Sequence, residues 1–223
     1  PDQSSAASDV YKRQALNSLA DEAGANKINK NLLQTPISDV PESGNLDASN
    51  LGLLIANLMP ENSIVSDEAA TSSFLVTPQA LKAKPHDWLC LTGGSIGQGL
   101  PLAVGAAIAK PDRPVITLHG DGGAMYTVQA LWTQARENLN ITNIIFANHS
   151  YEILKIELSR VGAVKTGQRA DSMFSLDNPK LDWIKLSQSM GVPCYEPKTV
   201  EDFIKNFSSC VHEDGPSTIL IQI

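Results

Sequence analysis

Two nearly continuous apolar runs, Pro114–His119 and Thr142–Ala147, stand one helix length apart, with the helical segment Ala124–Glu137 between them. Runs without polar alternation belong to strands covered on both faces, and a helical crossover joins neighbours in parallel. The pattern recurs along the chain. Leu46–Leu58 has helical spacing and stops before Pro60, and Ser63–Ser66 and Trp88–Leu91 read as short strands. Leu100–Ala109 is apolar nearly all round and predicts a buried helix. Helices are expected at Tyr151–Arg160, Leu181–Met190 and Val200–Cys210, with strands at Val192–Tyr195 and Ser217–Ile221. The expected class is therefore α/β, a three-layer α/β/α sandwich around a mainly parallel sheet.

This globular part is expected over residues 45–223. Before it, Pro1–Gln14 is polar, matches nothing downstream and reads as a non-native or disordered tail. Ala15–Ala25 has the spacing of a helix closing an upstream domain, and Asn26–Gly44, with Pro36 and Pro41, reads as a linker. Hydrophobic residues make up 42% of the 223 residues but aromatics only 5%, so the core should be aliphatic. A net charge of −7 without a Lys/Arg-rich run argues against a nucleic acid or an anionic membrane as partner. Cys90, Cys194 and Cys210 lack metal or redox spacing and read as reduced thiols of a cytoplasmic protein. No apolar run reaches the roughly 18 residues of a membrane span.

Chemistry concentrates where strands are expected to end. In an open parallel sheet, ligands gather beyond the carboxyl ends of the strands. Asp121 follows one apolar run and Asn148 the next. On neighbouring strands, roughly 4.8 Å apart, a carboxylate and an amide oxygen can share one hard cation such as Mg²⁺. Gly122 and Gly123 follow the acid, and their N–H groups, at the start of a helix, can face a phosphate. Taken singly, Asp121 is equally a helix cap, Asn148 a loop residue, and Thr71 and Ser72 caps of the helix after their strand. A second loop, Gly93–Gly99, also follows a strand and opens a helix, but it lacks the G-x-G-x-x-G spacing of a dinucleotide site. His86, His119, His149 and His212 have no metal-ligand spacing and read as loop or core residues.

Gly120-Asp121-Gly122 with Asn148 resembles the diphosphate-and-metal motif of thiamine-diphosphate-dependent enzymes, which opens with GDG and closes with two asparagines. The stretch from Thr92 to Tyr151 looks like the C-terminal diphosphate-binding domain of the acetolactate synthase and benzoylformate decarboxylase group, and Leu46–Ser72 is similar to the opening of that domain. The resemblance implies thiamine diphosphate and Mg²⁺ as cofactors. Asp121 and Asn148 would be side-chain metal ligands and Ser150 a carbonyl ligand. Gly120, Gly122, Gly123 and Ala124 would meet the diphosphate, with Thr71 and Tyr151 nearby. Ile96 would be the apolar wedge that bends the cofactor, and the Gly94 carbonyl would accept from its aminopyrimidine.

The same resemblance implies decarboxylation of a 2-keto acid with C–C bond formation, as in branched-chain amino acid biosynthesis, and a homodimer or homotetramer at full length. Ala147 stands where the motif's first asparagine is usual. The family's activating glutamate belongs to a pyrimidine-binding domain, supplied by a neighbouring subunit. Neither Glu68 nor Glu152 matches it, so no catalytic residue is expected in this chain, which alone should be inactive. Three alternatives remain: a benzoylformate-decarboxylase-type lyase, a non-catalytic cofactor-binding paralogue, and a nicotinamide-dinucleotide domain.

Overall fold

The computed structural model describes residues 3–24, 37–162 and 167–223. The chain divides into two compact units, Pro1–Thr35 and Pro36–Ile223. In the first, a single helix α1 (Gln3–Glu22) runs through both the segment expected as a tail and the expected helix end, with Tyr11, Leu16 and Leu19 exposed. Most of the expected linker, residues 26–36, lies outside the described residues, as does residue 25 before it. Its remainder belongs to the second unit. Ile37 and Val40 pack on the core, the Gly44 carbonyl accepts the Val200 N–H at 2.9 Å, and Asn45 forms a bridge with Thr199.

The second unit is the expected sandwich. Its elements in chain order are α2 (Ala48–Leu58), β1 (Ile64–Glu68), α3 (Ser73–Ala80), β2 (Asp87–Cys90), α4 (Gly99–Ala109), β3 (Val115–Gly120), α5 (Asp121–Ala124), α6 (Ala130–Arg136), β4 (Ile141–Ala147), α7 (Glu152–Arg160), α8 (Gln168–Phe174), α9 (Trp183–Ser189), β5 (Cys194–Tyr195), α10 (Val200–Cys210) and β6 (Ser217–Gln222). The six strands form one sheet in the order β2-β1-β3-β4-β6-β5, parallel throughout. Every strand therefore ends at the same edge, where the site is built.

Alternation along a strand sends successive side chains to opposite faces. On β4, Ile144 and Phe146 join Leu51, Leu54 and Ile55 of α2 and Phe203 and Phe207 of α10 in one core. Ile145 and Ala147 join Leu100 of α4, Leu131 of α6 and Trp183 of α9 in the other. Each strand residue on β4 is buried, which explains the nearly continuous apolar run. Beside Thr142, Asn143 is the polar exception. Its Nδ2 donates to Gln134 Oε1 at 2.8 Å and to the Ser217 carbonyl at 2.9 Å, while its Oδ1 accepts from Thr117 Oγ1 at 3.1 Å. Helix α2 begins with a reciprocal cap, in which Asp47 Oδ1 accepts the Asn50 N–H and Asn50 Oδ1 accepts the Asp47 N–H, both at 3.1 Å.

Three elements depart from the expected pattern. Helix α4 buries only Gly99, Leu100, Ala103 and Ala107, while Ile108 is 60% exposed, because just one side lies against the sheet. The expected helix Ala124–Glu137 starts at Asp121 and is interrupted by a tighter turn at Met125–Thr127. Helix α8 has no counterpart in the sequence reading, whereas α3 is the helix expected after Thr71 and Ser72. Among the described residues, no helix is long and apolar enough to cross a membrane.

Candidate cofactor site

Strands β3 and β4 are direct neighbours, with Gly120 paired to Phe146. Asp121 and Asn148 thus follow adjacent strand ends, as their spacing predicts. Asp121 is 1% exposed. Its Oδ1 accepts the Gly122 N–H and its Oδ2 the His149 N–H, each at 3.0 Å. Burial raises its pKa, against the pull of those two bonds and of the His149 ring, whose Nδ1 lies 3.7 Å from Oδ2. Asn148 Oδ1 accepts the Ser150 N–H at 3.0 Å. The loop takes a left-handed step at His149 (φ 52°), whose Nε2 meets Gln222 Oε1 at 2.8 Å.

The loop is braced from a segment that carries no sequence signal. The Leu176 N–H donates to the His149 carbonyl at 2.8 Å, and the Tyr151 N–H to the Phe174 carbonyl at 2.9 Å. A clip at the C-terminal end of α8 therefore sets the path of residues 149–151.

These residues fit a cation and a diphosphate. Each carboxylate or amide oxygen has two lone pairs, so Asp121 and Asn148 keep acceptor capacity after their backbone bonds. A buried carboxylate without a matched cation is costly, and His149 Nδ1 beside it is buried with no hydrogen-bond partner. Among the described residues, no three His, Cys, Asp or Glu side chains cluster as metal ligands; the expected set is one carboxylate, one amide and one carbonyl. Gly122 leaves space by necessity, since a Cβ there would lie 2.6 and 2.8 Å from the Tyr151 ring. One expectation needs correction. The Gly122 N–H is taken by Asp121, and α5 is a single turn, so an aligned helix dipole contributes little at this point.

A cleft opens above Asp121. Thr71, Ile96, Gly120, Gly122, Gly123, Asn148, Ser150 and Tyr151 line it, together with Asp121 itself. Ala124 does not; it is fully buried in the core beneath. Gly94 lies outside the lining on the exposed part of its loop, with its carbonyl accepting the Ile96 N–H at 3.0 Å. Ala147, in place of the motif's first asparagine, is a core residue of β4. Sequence reasoning missed Leu91, Tyr126, Ile153 and Leu154 in the lining, which have no polar or glycine signal.

It also set Glu68 aside, although Glu68 lines the same cleft. This carboxylate is 4% exposed and accepts the Gly97 and Gly99 N–H groups. Burial pushes its pKa up and the two N–H bonds pull it down. His119 Nε2 lies 3.4 Å away. Burial lowers the His119 pKa to about 3, so the imidazole is neutral and the approach is a contact between a neutral ring and the carboxyl.

Comparison with known proteins agrees with this geometry. The family model described as "Thiamine pyrophosphate enzyme, C-terminal TPP binding domain" matches residues 71–221. A Mycobacterium tuberculosis protein with the provisional name acetolactate synthase large subunit IlvX is 42% identical over 211 residues, covering 92% of this chain and 40% of the relative. Benzoylformate decarboxylase of Pseudomonas aeruginosa is 28% identical, over 86% of this chain and 34% of that protein. Among solved structures, the thiamine diphosphate-dependent 4-hydroxybenzoylformate decarboxylase of Rhodococcus jostii superposes with a TM-score of 0.67 at 28% identity, over 85% of this chain and 34% of the other. The chain thus spans about two fifths or less of the length of these relatives.

Proposed function

We propose, from the premise that the chain belongs to the thiamine pyrophosphate enzymes through their C-terminal cofactor-binding domain, that it holds the diphosphate end of thiamine diphosphate through Mg²⁺ in an acetolactate-synthase-like enzyme. The observation that carries this reading is the buried Asp121 carboxylate just past the end of β3, with Asn148 just past the end of the neighbouring β4. Asp121 Oδ1 or Oδ2, Asn148 Oδ1 and the Ser150 carbonyl are the proposed metal ligands. Gly120, Gly122 and Gly123 give the diphosphate a backbone floor, with Ala124 in the core beneath them, and Thr71 and Tyr151 flank it. Ile96, 45% exposed in the cleft, is the proposed wedge under the cofactor's ring system, with the Gly94 carbonyl as acceptor for its aminopyrimidine.

Bound thiamine diphosphate supplies an electron sink for decarboxylating a 2-keto acid. The chain's own contribution is to neutralise, orient and shield. Asp121 balances the cation's charge, the 148–151 loop fixes the ligand directions, and Ile96 and Leu154 keep part of the cleft apolar. The group that activates the aminopyrimidine belongs on a pyrimidine-binding domain of a neighbouring subunit, so this chain by itself is proposed to be inactive.

The 42% identity over most of the chain favours an acetolactate-synthase-like parent over a benzoylformate decarboxylase. Calorimetric titration with thiamine diphosphate and Mg²⁺ tests the first step: one site per chain is expected, lost when the metal is omitted, and a folded chain that takes up neither overturns the reading. Adding a pyrimidine-binding domain and following CO₂ release tests the second, with pyruvate preferred over benzoylformate; cofactor binding without turnover of either points to a non-catalytic paralogue.

A further inference from the structure

We infer that Glu68 is a positioning residue whose buried carboxylate clamps the Gly97–Gly99 end of the glycine loop and so aims Ile96 into the cleft; the inference rests on the thiamine diphosphate reading above. Strand β1 ends on Glu68, which is buried away from solvent. Oε1 accepts the Gly97 N–H, and Oε2 accepts the Gly99 N–H at 2.5 Å. A carboxylate offers two acceptors in one plane to two donors two residues apart, and an ionised acceptor strengthens both bonds. The loop is held from the other side as well: Thr127 Oγ1 donates to the Gly97 carbonyl at 2.8 Å, and Ser66 Oγ to the Gly99 carbonyl at 2.9 Å.

Sterics at the clamp leave room for glycine only. Gly97 has φ 96°, and a Cβ there would lie 2.9 Å from the Tyr126 Cβ. A Cβ on Gly99 would run into the His119 ring and stand 3.0 Å from the Glu68 Cβ. At the other end of the loop, Gly93 and Gly94 also have positive φ, but an added Cβ would meet nothing within 4 Å. The loop therefore has one gripped end and one open end, and Ile96 is the last residue before the grip. A Cβ built on Gly123 would stand 3.5 Å from Glu68 Oε1, an ordinary contact, so the clamp does not crowd that glycine.

The test compares two probes, thiamine diphosphate and inorganic diphosphate, each with Mg²⁺, titrated into the chain and its Glu68→Gln and Thr127→Val variants. Gln keeps the shape but sets an NH₂ against one of the two N–H donors, and Val removes the second tie at nearly constant volume. The expected result is about tenfold weaker thiamine diphosphate binding for Glu68→Gln, a smaller loss in the same direction for Thr127→Val, and diphosphate affinity changed by less than about twofold. Equal weakening of both probes, or no change in either, overturns the inference, since a purely structural carboxylate would not separate them. If Glu68→Gln does not fold, Thr127→Val decides by the same comparison. Wild-type chain that fails to bind thiamine diphosphate overturns the functional reading itself, an outcome visible before any variant is made.

Discussion

Asp121 commits both carboxylate oxygens to backbone N–H groups and still has lone pairs directed at the cleft. Asp121→Ala is expected to abolish Mg²⁺-dependent binding of thiamine diphosphate in calorimetry while leaving the far-ultraviolet circular dichroism of the domain unchanged. Retained binding would count against the ligand set. At Gly122 the constraint is space: Gly122→Ala drives a methyl into the Tyr151 ring and is expected to weaken diphosphate affinity about tenfold, measured by the same titration. Both residues were legible in the sequence because each carries its own signal, a carboxylate or a glycine immediately after an apolar run. Glu68 was not. Its partners, Gly97 and Gly99, are brought to it by the pairing of β1 beside β3 and the packing of α4, and nothing local to Glu68 announces them.

Strands read well at the scale of elements because in a doubly covered sheet each one needs a largely apolar run, and β3, β4 and β6 have one. Helices read less well where tertiary contact decides them. The run from Ala124 to Glu137 reads as one helix, yet the chain tightens at Met125–Thr127, where Thr127 turns to donate to the Gly97 carbonyl. Helix α8 is short and buries none of its residues, so it has no apolar stripe to detect. Asn143, in the middle of β4, interrupted an apolar pattern without giving a reason; the structure supplies it as the hub of a buried amide network. Asn143→Ala leaves the Gln134 amide, the Thr117 hydroxyl and the Ser217 carbonyl short of partners. The expected cost is about 2 kcal/mol or more in urea unfolding, with the cofactor affinity of the folded fraction unchanged.

For the whole molecule, the aliphatic composition and the strand–helix alternation were enough to give the class, and the parallel order of all six strands bears it out. The thiols report on that compactness. Cys90 is exposed, Cys210 is buried, and burial pushes Cys194 up to about 12. Iodoacetamide at pH 8 is therefore expected to modify Cys90 rapidly in the native chain and the other two only after denaturation, as followed by mass spectrometry. Rapid native labelling of Cys194 would contradict the packing of β5. Asp121 and Asn148 meet only because β3 and β4 are paired, so the unfolded chain has no equivalent site. Ligand and fold are then linked equilibria: thiamine diphosphate with Mg²⁺ at a hundredfold excess over its dissociation constant adds about 2.7 kcal/mol to the folded state. Melting should rise accordingly, and chelation should reverse it. In a cell, the lifetime of such a chain against proteolysis would follow the supply of its vitamin.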